Sequence, residues 1–120
     1  MDNKRTFGNA GETLVCDYLE KKGFKIVTRN YQTRQGEVDV IAVRDEILAF
    51  IEVKTRRNSY FPISNVVTYG KQKKITKTAK YFIVKNKIID KACRFDVATV
   101  VWDNNGNPAI DYIENAFYAV

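Results

Sequence analysis

The chain contains no histidine. That excludes catalytic triads and acid–base pairs built on imidazole, and any zinc site with a histidine ligand. Its two cysteines, Cys16 and Cys93, have no Cys-x-x-Cys spacing and are too few for a structural zinc site. Cys16 falls in a helical pattern and Cys93 at a strand start, so both read as buried free thiols, which suits a reducing cytoplasm. No apolar run approaches the ~20 residues of a membrane span. Met1–Arg5 leads into no apolar segment, so no secretory signal and no membrane association are expected. No repeat, low-complexity stretch or internal linker interrupts the chain.

What remains is an ordinary globular composition with an excess of positive charge. The 120 residues are 45% hydrophobic, enough for a single domain over residues 1–120 with a real core. Twenty Lys and Arg against fourteen Asp and Glu give a net charge of +6, which suits an anionic partner without specifying one.

The hydrophobic period predicts a helix from about Ala10 to Lys22, with Leu14, Val15, Tyr18 and Leu19 on its buried face and Gly23 as its stop. A strand follows over Phe24–Arg29, with the polar 30–35 stretch as a possible edge continuation. Gly36 opens a second strand and Ile47–Thr55 forms a third. Arg56–Asn65 reads as a loop carrying Tyr60 and Phe61. A second helix is expected from about Val66 or Gly70 to Val84, then strands over Arg94–Trp102 and Ala109–Glu114 around the turn cluster 103–107. The order α-β-β-β-α-β-β implies an α/β domain with a mixed sheet flanked by helices.

Two of these strands carry charge where apolar residues dominate: Gly36-Glu37-Val38-Asp39-Val40-Ile41 and Phe50-Ile51-Glu52-Val53-Lys54-Thr55. Burying such charges costs several kcal/mol each unless they are paired or bind a metal. Alternation places Glu37 and Asp39 on one face, Val38 and Val40 on the other, and Glu52 with Lys54. With Arg44-Asp45-Glu46 as the turn, residues summing to about 90 pair across the hairpin. Asp39 then lies nearly opposite Glu52. Two ionised carboxylates there repel, and a hard cation such as Mg²⁺ relieves the conflict. The [DE]-x-K triplet itself carries little, since roughly one is expected by chance in a chain this long. Asp2-Asn3-Lys4 and Glu20-Lys21-Lys22 match it too, and only the strand context sets Glu52-Val53-Lys54 apart.

Blander readings stand beside each residue. Asp39, Glu52 and Lys54 could form an exposed cross-strand ion pair of little worth. Glu12 could complete a capping arrangement with Asn9 at a helix start. Glu37 could bind a second ion or simply be solvated. Asp96 with Arg94 reads first as a buried structural ion pair. The lysines of the second helix could be a solvated face. With Arg56, Arg57 and the aromatic loop nearby, however, Lys71, Gln72, Lys73, Lys74 and Lys77 also suit a phosphate backbone, with Lys71 and Gln72 near the helix N-terminus.

Several ordered segments together resemble a known family. They are Gly8-Asn9-x-Gly11-Glu12, Arg29-Asn30-Tyr31, Gly36-Glu37-Val38-Asp39-Val40-Ile41, Phe50-Ile51-Glu52-Val53-Lys54-Thr55-Arg56, Lys71-Gln72 and Arg94-Phe95-Asp96-Val97. The resemblance, over nearly the whole chain, is to the bacterial YraN-like family, also called UPF0102, with a restriction-endonuclease-like fold. That family is similar to the PD-(D/E)xK nucleases and, in layout, to archaeal Holliday-junction resolvases. The proline of that motif's name is replaced here by Val38. The resemblance implies Asp39 and Glu52 as metal ligands with the Val53 backbone carbonyl, Lys54 as the catalytic lysine and Glu12 as a further acid. It implies Mg²⁺ or Mn²⁺ as cofactor and DNA, including branched DNA, as substrate, with a homodimer suited to junction cleavage. The alternatives are a non-catalytic nucleic-acid-binding module on a nuclease scaffold, and a structural or partner-binding protein whose lysine face is merely solvated.

Overall fold

The computed structural model describes residues 4–57 and 67–120. Helix α1 (Lys4–Lys21) is followed by β1 (Lys25–Gln32), β2 (Glu37–Arg44) and β3 (Ile47–Arg57). Helix α2 (Tyr69–Lys85) crosses to β4 (Ala92–Trp102), and β5 (Pro108–Phe117) closes the described chain. The predicted order α-β-β-β-α-β-β holds. Arg56 and Arg57 extend β3; the rest of the predicted loop, with Tyr60 and Phe61, lies outside the described residues.

Five strands form one mixed sheet in the order β1-β2-β3-β4-β5. Among the described strands only the β3–β4 pair is parallel, because α2 lies between them in the chain. Among the described residues, one helix covers each face. Val15, Leu19 and Phe24 pack on Val40, Ala42, Ala49, Ile51, Ala98 and Val100 on the α1 side. Ile75, Ala79 and Phe82 pack on Ile41, Leu48, Phe50, Phe95 and Val97 on the α2 side. The central strands are covered on both faces, which is why β3 and β4 read as near-continuous apolar runs. Gly23, with φ of 92°, ends α1 as predicted, and Phe24 N–H donates to Leu19 O at 3.0 Å.

Four local expectations are corrected. First, α1 begins at Lys4, two turns earlier than predicted, so Asn9 is a helix-interior residue and cannot cap Glu12. Second, the turn is Asp45-Glu46 alone, with Arg44 paired to Ile47, so partners sum to 91, as in Val40 opposite Ile51. Third, alternation fails at Asp39: Val40 joins the α1-side core and Val38 the α2-side core. The neighbouring strand breaks too. Asn30 has φ of 54°, so Arg29 reaches α1 while Tyr31 packs edge-on against Phe82 of α2. Fourth, Cys16 is buried as expected but Cys93 is exposed, because it precedes the buried run of β4 that opens at Arg94.

Candidate metal and nucleic-acid site

The β2–β3 ladder ends at Val40 and Ile51, and the strands part beyond it. The Asp39 side chain occupies the fork, where its Oδ2 accepts the Val53 N–H at 2.8 Å. The Glu52 carboxyl lies beside it and disfavours its charged form. Burial, and then Glu52, push the Asp39 carboxyl up to about 8; the Val53 N–H and Lys71 oppose the rise. Glu52 is buried at 7% exposure, and Lys71 Nζ stands 3.3 Å from its Oε2. The pair thus joins a buried Glu52 to a half-buried Asp39, with the Lys71 ammonium as the cation beside them.

Lys71 comes from the first turn of α2. Thr68 caps that helix by accepting the Lys71 N–H at 3.3 Å. Lys54 is half-buried. Its ammonium pKa is lowered by burial, then by the like charges of Arg56 and Lys71, against the pull of Glu52 and Asp39. Glu12 is buried in the middle of α1, and its carboxyl is raised first by burial and then by the charge of Asp39. Arg29 Nη2 lies 3.5 Å from Glu12 Oε1, and Asn30 with Arg29 favours the charged form of that carboxyl. These two residues were visible in the sequence only as part of a motif. Their role in holding Glu12 follows from the αL turn at Asn30, which only the fold reveals. Gly11 lets α1 approach: a Cβ there would overlap the Thr55 hydroxyl of β3.

The site opens into two clefts on either side of the end of β3. One, of about 510 Å³, is lined by Glu37, Asp39, Glu52, Thr68, Gly70, Lys71 and Lys74. The other, of about 490 Å³, is lined by Phe7, Gly8, Glu12, Lys54, Thr55, Arg56 and Arg57. The Arg57 guanidinium lies 4.3 Å from the centre of the Phe7 ring. Of the basic track read from the sequence, Lys71 pairs with Glu52 and Lys74 lines the same cleft. Lys73 instead lies over the Tyr69 ring, and exposed Lys77 lines neither cleft. Gln72 gives its amide to Val67 O at 3.1 Å. Asp96 takes the structural role that its sequence favoured. It is fully buried, bonded twice by Arg94 Nε at 3.0 and 3.1 Å, by Tyr112 Oη at 2.6 Å and by Asn115 N–H at 3.0 Å.

The donor set suits a hard divalent cation. Among the described residues no three His, Cys, Asp or Glu side chains meet to hold an ion alone. Asp39 and Glu52 supply two neighbouring carboxyl groups, and Mg²⁺ commonly takes one or two carboxylates and completes its shell with water and phosphate.

The family model described as Uncharacterised protein family UPF0102 matches residues 11–100. The chain belongs to UPF0102. A UPF0102 protein of Alkaliphilus metalliredigens (strain QYMF) is 40% identical over 114 residues, covering 94% of this chain and 98% of its own length. One from Trichlorobacter lovleyi is 42% identical over 112 residues, 92% of this chain and 88% of its own. One from Dictyoglomus thermophilum is 41% identical over 117 residues, 96% and 99% respectively. The matched span of this UPF0102 chain takes in Glu12, Asp39, Glu52, Lys54 and Lys71. Among the described residues, no helix is long and apolar enough to cross a membrane.

Proposed function

We propose that this protein is a Mg²⁺- or Mn²⁺-dependent nuclease that hydrolyses phosphodiester bonds in DNA, branched DNA included. The observation that carries this reading is the meeting of the Asp39 and Glu52 carboxyls in the fork between β2 and β3, with Lys71 beside them. Asp39, Glu52 and the Val53 carbonyl would hold the ion, with Glu37 as candidate for a second. Such an ion, when bound, neutralises charge on the scissile phosphate and acidifies the attacking water.

The chain's own residues do the rest. Lys54, with its lowered ammonium pKa, is suited to take the water's proton at Nζ and to screen charge as the bond breaks. Glu12, whose carboxyl is raised by burial and then by Asp39 and is paired with Arg29, orients that water through a hydrogen bond. Lys71 and Lys74 meet the phosphate backbone beside the N-terminus of α2.

The test is cleavage of labelled single-stranded, duplex, flap and four-way-junction DNA with Mg²⁺, Mn²⁺ or EDTA. Cleavage is expected to need metal and to disappear in Asp39→Ala and Glu52→Ala while both variants stay folded. Undiminished cleavage by Glu52→Ala sinks the site assignment. Salt-sensitive DNA binding without cleavage on any substrate favours a non-catalytic binding module.

A further inference from the structure

Lys71 stands where a cation neutralises the acid pair. Its Nζ is 3.3 Å from Glu52 Oε2, and its charge also acts on Asp39. The two ends of this ion pair differ in freedom. The Glu52 side chain is 7% exposed on a central strand, while the Lys71 side chain is 42% exposed on a flexible stem. Its anchor in the first turn of α2 puts it in the same cleft as Thr68, Gly70 and Lys74, where a phosphate would meet a helix N-terminus. A divalent ion brings two positive charges to the same two carboxylates. With Lys71 still on Glu52, like charges crowd one buried spot, and the mobile one is displaced.

We propose that Lys71 is a resident counter-ion. It occupies Glu52 in the free protein, competes there with the divalent cation, and transfers to a phosphate of the incoming nucleic acid when that cation binds. This rests on reading Asp39 and Glu52 as a metal site. Lys71 is in this sense a positioning residue that links the two ligands. Nucleic acid draws off the lysine that hinders the metal, and the metal frees the lysine that holds the phosphate. Such coupling is reciprocal.

The test is calorimetric titration of the full chain with Mn²⁺ alone, then with an oligonucleotide carrying non-hydrolysable linkages. Without nucleic acid, Lys71→Ala is expected to bind Mn²⁺ about tenfold more tightly than the wild type, because one nearby positive charge is gone. Lys71→Arg keeps the charge and is expected to stay near the wild type. The oligonucleotide is expected to tighten Mn²⁺ binding more in the wild type than in Lys71→Ala. Thermal melting of each variant confirms that it is folded. If wild-type Mn²⁺ binding depends on Asp39 but is unchanged or weaker in Lys71→Ala, the counter-ion role is overturned and the metal site stands. If neither protein binds Mn²⁺ with or without oligonucleotide, the metal site fails, and the counter-ion role with it.

Discussion

At Asp39 one carboxyl serves two neighbours with opposite effects. The Val53 N–H favours its charged form, while burial and Glu52 favour the neutral one, and the neutral form wins. The folded state therefore holds this proton more tightly than the unfolded chain, where the ordinary value is 3.8 against about 8 in the fold. Stability linked to this proton is fully present below about pH 4 and is lost as pH rises to about 8. In metal-free protein, Tm is expected to decline over that window, and Asp39→Asn, which keeps an acceptor for Val53, should flatten the decline. An equally steep decline in Asp39→Asn would place its origin elsewhere. Asp96 is the contrasting case on the other face of the sheet. Its partners are Arg94, Tyr112 and the Asn115 amide, all supplied by the fold. Asp96→Ala leaves the buried Arg94 guanidinium to the exposed Glu114 carboxylate at 3.7 Å and is expected to cost about 3 kcal/mol in denaturant unfolding. Mn²⁺ affinity of the folded fraction should be unchanged.

The elements matter through where they stop being regular. The β2–β3 hairpin pairs up to Val40 and Ile51, then opens, and the opening turns two ladder positions into a site. On the next strand, Asn30 reverses the faces of its neighbours so that Arg29 can hold Glu12. Helix α1 brings Glu12 there by lying close on β3 at Gly11 and Thr55. Gly11→Ala is expected to push α1 off the sheet and cost about 1–3 kcal/mol, as overpacking does. Thermal melts check the stability. Cleavage should fall beyond the loss of folded protein, because Glu12 moves with the helix. Full activity in the folded Gly11→Ala fraction would remove Glu12 from the proposed chemistry.

Across the whole molecule, charge is distributed unevenly around the acid pair. The net +6 says only that an anion is a suitable partner. The clefts say which cations can meet it: Lys71 and Lys74 line one, Lys54, Arg56 and Arg57 the other, while Lys77 lines neither. DNA affinity is expected to fall linearly with salt on logarithmic axes, and Lys74→Ala should reduce that slope by about one. Lys77→Ala should leave the slope nearly unchanged. Equal effects from both lysines would mean a diffuse basic surface instead of a track through the cleft.

The order of elements, both helices and the hairpin that brings Asp39 toward Glu52 were all legible in the sequence. Hydrophobic period and turn residues are local properties, and neighbours along the chain express them. The same is true of the absence of histidine, which limits the chemistry whatever the fold. The site's details were not local. Glu12 looked like a capping acid because the first two turns of α1, Lys4 to Asn9, carry no strong helical pattern, yet the helix begins there. Cys93 looked buried because a strand pattern does not say where the covering helices end. Val38 and Val40 looked alike because strict alternation assumes a regular ladder, and Asp39 interrupts it. Sequence alone determined which residues carry charge in apolar strands. Tertiary structure decided which of those charges meet, because burial, strand divergence and a helix crossing from elsewhere in the chain set the distances between them.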